Sequence, residues 1–173
     1  MEGLAITWRT FWLIVHLAIG AVFIHGFVEA ALGLRARAGY RPMAAIGGWT
    51  VAIVAWITVV TGTWIVYPWY RAKPPAGADV ANYPQAYLVA NPSLAGWHEF
   101  GMEWKEHVGW ITPIIATAVA FVIFRYGPQL AREARIRRAL ITLLVVAFGA
   151  ALVAGGLGAL INKMAPNAFL NLS

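Results

Sequence analysis

Four histidines carry most of the chemistry this sequence offers: His16 and His25 near the N-terminus, His98 and His107 further on. Imidazole serves as a proton carrier, a metal ligand and an axial ligand of haem iron. The chain has no cysteine, which removes disulfides, iron–sulfur clusters, thiolate zinc sites and covalently attached haem. Nine residues separate the members of each pair, His16 from His25 and His98 from His107. At about 100° per residue on a helix, the two members face opposite sides. Only one member of each pair can address a shared seam. One cofactor is therefore expected rather than two, since stacked sites want a spacing of about 14 residues on each helix.

The elements that must position these groups are membrane helices. The chain has 173 residues, 61% hydrophobic and 12% charged, with a mean hydropathy of +0.68. A soluble domain is about half apolar and about a quarter charged, so disordered, disulfide-rich and ordinary soluble classes are excluded. The expected fold is all-α: one transmembrane domain over residues 1–173, a four-helix bundle with an outer loop and an extended third helix. Its spans are expected at about 8–34, 43–69, 104–126 and 139–161, with the outer loop over about 70–103. Long unbroken apolar runs without alternation argue against strands. The first run reads as a retained helix, not a cleaved leader.

The net charge of +6 resembles that of a nucleic-acid binder, but the basic residues sit between apolar runs, so no nucleic-acid partner is expected. Arg35, Arg37 and Arg41 follow the first span; Arg125, Arg132, Arg135, Arg137 and Arg138 follow the third. The positive-inside rule then puts both termini outside, in a bacterial inner membrane with lipid as the first partner. Asn91, Pro92 and Ser93 read as a helix start, which begins the third helix above the membrane. Gly127 and Pro128 read as its end, and residues 129–138 as a short basic interfacial helix. The outer loop, with Pro74, Pro75, Pro84 and Pro92, is expected to lie on the bundle as a lid.

Depth orders the histidines. His16 lies 19 residues from Arg35 and His107 lies 18 from Arg125, so the two are level. His25 and His98 have no level mate. The same count on the other spans falls beside Gly62 and at Gly155 and Gly156. Imidazoles on two helices and missing side chains on the other two would suit a flat macrocycle, one haem b held by His16 and His107. Arg9 and Arg71, near the outer boundary, are placed to meet its propionates. Four spans, level histidines on the first and third, and glycines beside them resemble the small four-helix membrane cytochromes of the b type. That resemblance covers most of the chain and implies bis-histidine haem and electron relay between quinones and other redox proteins, within a larger membrane complex. Many members carry two haems with wider histidine spacing, from which this chain departs.

Other readings stay open. Glu99, Glu103 and Glu106 share a helix face with His107, and three carboxylates with an imidazole could hold a metal ion. The spacing matches no zinc signature. The same acidic face would equally serve as a solvated helix end, or as a dock for a basic partner such as a soluble cytochrome. His25 and Glu29, four residues apart on one face, are candidates for proton handling beside a quinone. The function expected is that of an electron-transfer subunit rather than an independent enzyme. A non-redox accessory or assembly subunit and a membrane metal-binding protein are the alternatives.

Overall fold

The computed structural model describes residues 8–35 and 42–165, without the side chains of Arg9, Thr10, Leu13 and Asn162. The described residues are all-α: α1 (Trp8–Arg35), α2 (Pro42–Thr61), α3 (Tyr67–Tyr70), α4 (Pro84–Ala90), α5 (Pro92–His107), α6 (Ile111–Leu130) and α7 (Ala134–Lys163). Four stretches are long and apolar enough to cross a membrane: Ile14–Arg35, Pro42–Tyr70, Pro92–Leu130 and Ala134–Ile161. This is the composition of an integral membrane protein. Arg37 and Arg41 lie outside the described residues.

The spans pack in ring order. The first lies against the second, the second against the third, the third against the fourth, and the fourth returns to the first. The first and third therefore stand across the bundle from each other. Missing side chains set the closest approach. A Cβ on Gly33 would lie 2.6 Å from the Ala44 nitrogen, and one on Gly26 would lie 2.8 Å from Thr50 Cγ2. Small residues at such crossings let helix backbones come together, the usual way membrane helices gain packing. Phe148 of α7 closes the ring by stacking on Phe27, with centroids 4.3 Å apart.

Two interruptions matter for the site. The second span carries a π-helical turn, Gly62–Val66, before α3 resumes. The third span narrows to a 3-10 turn, Val108–Trp110, between α5 and α6. Pro113 accounts for the second. It has no N–H to offer the carbonyl four residues back, at Gly109, and its ring crowds that carbonyl.

Asn91 caps α5 with extended backbone and Pro92 takes the first helical position, as the sequence indicates. The segment expected as outer loop, about 70–103, thus contains α4 and most of α5. Buried Pro84 and Leu88 of α4 anchor it, with Leu88 packed among Tyr70, Met102 and Ile161. At the arginine end two expectations are corrected. Pro128 sits inside the last turn of α6, which runs on to Leu130. Arg137 makes this extension stable: its Nη1 donates to the carbonyls of Leu130 and Ala131, which the helix end would otherwise leave unmet. Residues 129–138 form no separate helix, because Arg135, Arg137 and Arg138 already belong to the first turns of α7.

Candidate functional site

The polar side chains of the loop end converge on the π turn. His16 of α1 is half-buried and its Nδ1 lies 3.4 Å from Thr61 Oγ1. Thr61 already donates its hydroxyl proton to the Ile57 carbonyl at 2.7 Å. Toward His16 it can only accept, so this contact calls for a proton on Nδ1, which in the neutral ring leaves the lone pair on Nε2. Next along the chain, a Cβ on Gly62 would lie 3.5 Å from His16 Cε1. The imidazole thus rests against the one residue of that turn without a side chain.

Opposite, the third span sends in Lys105. Gly101 and Met102, one turn earlier on the same face of α5, are buried, so this face belongs to the bundle interior. The Lys105 stem follows it inward, and its Nζ reaches within 2.5 Å of the place a Cβ on Gly158 would occupy. Lys105 therefore fills the gap that glycines leave between the second and fourth spans. Among the described residues no carboxylate pairs with it; the two ion pairs there are His25–Glu29 and His107–Glu103. A cavity of about 30 Å³ opens beside it, lined by Gly62, Val66, Tyr67, Tyr70, Met102, Lys105 and Ile161. That is room for one water molecule.

Two tyrosines lead from this cavity toward the loop surface. Tyr67 Oη donates to Glu106 and accepts from Arg71 Nη1 at 3.0 Å, while the Arg71 guanidinium lies 5.3 Å from the Tyr67 ring centroid. Tyr70, 3% exposed, holds its Oη 2.7 Å from His98 Nδ1. Each tyrosine therefore lines the cavity and, through its phenol, meets a titratable group nearer solvent. Trp12, one turn before His16 on the same face, has a buried Nε1–H with no hydrogen-bond partner among the described residues.

The residues singled out in the sequence divide. His16, Gly62, Arg71 and Glu106 belong to this cluster. His107 does not: its side chain is 70% exposed, and Nδ1 lies 3.1 Å from the Glu103 carbonyl and 3.2 Å from the Glu103 carboxylate. His16 and His107 are not brought together as a ligand pair. Gly155 and Gly156 are exposed, with open space where a Cβ would stand; Gly158 is the glycine of the fourth span that meets the cluster. Glu99 and Glu103 are exposed, and among the described residues no three His, Cys, Asp or Glu side chains converge as a metal site. His25 and Glu29 lie 3.3 Å apart on α1, away from the cluster. The Arg9 side chain lies outside the described residues. Sequence reasoning passed over Thr61, Tyr67, Tyr70 and Lys105. The signal for Lys105 was available: Gly101 and Met102 precede it by four and three residues on an uncharged helix face. No family model, curated protein or solved structure matches this chain.

Proposed function

We propose that this chain is a membrane subunit whose loop-end cluster moves protons between the bundle interior and the loop surface. The observation that carries the reading is Lys105. An ammonium group inside a membrane bundle without a counter-ion is costly, and such groups mark proton or ion pathways. Lys105 is the proton carrier. The adjoining water-sized cavity links it to Tyr67–Glu106 and Tyr70–His98, two short routes outward that can pass a proton by exchange of hydrogen bonds. His16, with Nε2 open, is the acceptor on the interior side.

Purified chain in liposomes with an entrapped pH-sensitive dye tests this. A potassium gradient with valinomycin supplies the driving voltage. Wild-type protein is expected to conduct protons and Lys105→Met to lose that flux, with Tyr67→Phe lowering it in part. Methionine matches the lysine stem in volume, and removing a charge that no carboxylate pairs with leaves no counter-ion stranded. Equal flux in wild type and Lys105→Met would sink the proposal.

One observation favours a second reading, electron transfer through a single haem b. His16 presents an unprotonated Nε2 with its other nitrogen tied to Thr61, the arrangement an axial imidazole has. The remaining fit is poor. His107 is turned outward, Lys105 occupies the glycine gap, and the cavity of about 30 Å³ is far below the roughly 300 Å³ or more of a cofactor pocket. A reduced-minus-oxidised visible spectrum of protein purified from haem-replete cells decides. A b-type spectrum lost in His16→Ala supports this reading; a featureless wild-type spectrum ends it.

A further inference from the structure

The first span has a second face that the bundle leaves uncovered. Phe23, Gly26, Ala30, Gly33 and Leu34 turn inward and are buried. Ile14, Ala18, Ala21, His25 and Leu32 form the opposite stripe, and all of them are exposed. Glu29 stands at its edge, 29% exposed, and bonds to His25. The His25 side chain is 73% exposed and lies ten residues from Arg35. At 1.5 Å per residue that is about 15 Å from the arginine end, the middle of a hydrocarbon layer about 30 Å thick.

Lipid chains cannot meet the hydrogen-bonding needs of an imidazole or a carboxylate at that depth. The internal contact uses His25 Nε2 and Glu29 Oε1, which leaves the ring's other nitrogen and the carboxylate's other oxygen to be met from outside. Ala21 and Ala18 lie one and two turns away from His25 on the same stripe, and small residues there let a second backbone come close.

We infer that α1 pairs with α1 of a second copy of this chain, around a two-fold axis parallel to the spans. In each copy His25 Nε2–H donates to its own Glu29, so Nδ1 can only accept; it takes the Oε2–H of the other copy's Glu29, held as the carboxylic acid, across the flat surface made by Ala18 and Ala21. A two-fold interface requires a patch that complements itself. This one does, because donor and acceptor are both present and one helical turn apart. A different subunit would have to bring its own matching pair to the same depth.

The absence of cysteine makes the test direct. Single-cysteine variants of the full chain are placed in liposomes and oxidised with copper phenanthroline. Ala21→Cys is expected to form disulfide-linked dimers. Val146→Cys, on the exposed face of the fourth span (52% exposed), is expected to remain monomeric. Adding His25→Leu to Ala21→Cys should lower the cross-linked fraction about tenfold, the effect of losing two interhelical hydrogen bonds in a membrane. Adding Glu29→Gln, which still hydrogen-bonds, should preserve most of it. Three results would overturn the inference: no dimer from Ala21→Cys, cross-linking no greater than that of Val146→Cys, or a yield unchanged by His25→Leu. A purified chain that stays monomeric while Ala21→Cys links to another protein in native membranes would overturn it too.

Discussion

Two adjacent glycines of α2 should respond oppositely to the same substitution. A Cβ on Gly47 would point into α1, 2.7 Å from the Gly26 carbonyl oxygen and 2.8 Å from Glu29 Cβ, with the Ala30 backbone nitrogen nearer still. None of these atoms is the free end of a flexible side chain. The first two spans would have to part by roughly 1 Å to restore ordinary contact, which forfeits much of the dispersion energy along the seam. A Cβ on Gly48 points at the third span, 3.4 Å from Ile123 Cδ1 and 3.5 Å from Ala120 Cα, which is ordinary contact. Alanine in a helix gains about 1 kcal/mol over glycine, whereas overpacking a tight core costs about 1–3 kcal/mol. Strain against rigid backbone belongs at the upper end of that range. Gly47→Ala is therefore expected to lose about 2 kcal/mol net, and Gly48→Ala to be neutral or gain up to about 1 kcal/mol. Equilibrium unfolding in mixed detergent micelles measures both. A Gly47→Ala chain as stable as wild type would refute the assigned crossing of α1 and α2. Equal destabilisation by both variants would show that helix flexibility, not contact, governs this seam.

Three further outcomes follow from the same geometry. Gly158→Ala places its methyl 2.5 Å from Lys105 Nζ; the lysine end can move, so stability should hold while liposome proton flux falls severalfold, and unchanged flux would count against Lys105 as carrier. Arg137→Ala removes the donor that closes α6 and should cost about 1 kcal/mol, read as faster hydrogen exchange at residues 128–132. Single cysteines between residues 75 and 90 should react with impermeant maleimide from the non-cytoplasmic side of the membrane, whereas reaction only from the cytoplasmic side would reverse the orientation expected from the arginine-rich loops.

The spans and the Pro92 start were legible because hydropathy and capping are local. Unbroken apolar runs fix length, and Asn91 before Pro92 fixes where α5 begins. The direction in which each helix points its side chains was less so. Counting residues from Arg125 places His107 level with His16, but level groups meet only if the helix between is regular. The 3-10 turn at Val108–Trp110 changes that phase, and His107 ends outside while Lys105, two residues earlier, ends inside. Lys105 was passed over for a related reason: a lysine among Glu103, Glu106 and His107 reads as surface charge until its helix face is known to be covered. Tyr67 and Tyr70 carry no local signal, because their partners Glu106 and His98 lie 39 and 28 residues away.

The π turn also fixes which length changes this chain can absorb. A π turn is an α-helix with one residue too many, so deleting a single residue between Gly62 and Val66 would leave a continuous helix still long enough to cross the bilayer. The wide turn takes up that extra residue locally, so its loss would leave the chain beyond facing nearly as before, with Tyr67 and Tyr70 still turned to Glu106 and His98. A further residue added there could not be absorbed, and the chain beyond would turn by about 100°. Tyr67 and Tyr70 would then swing off Glu106 and His98 together, while His16 kept its contact with Thr61. The membrane segment would survive and the cluster would come apart. These five residues thus tolerate a loss and not a gain, and an insertion there separates what the chain needs for folding from what it needs for its chemistry.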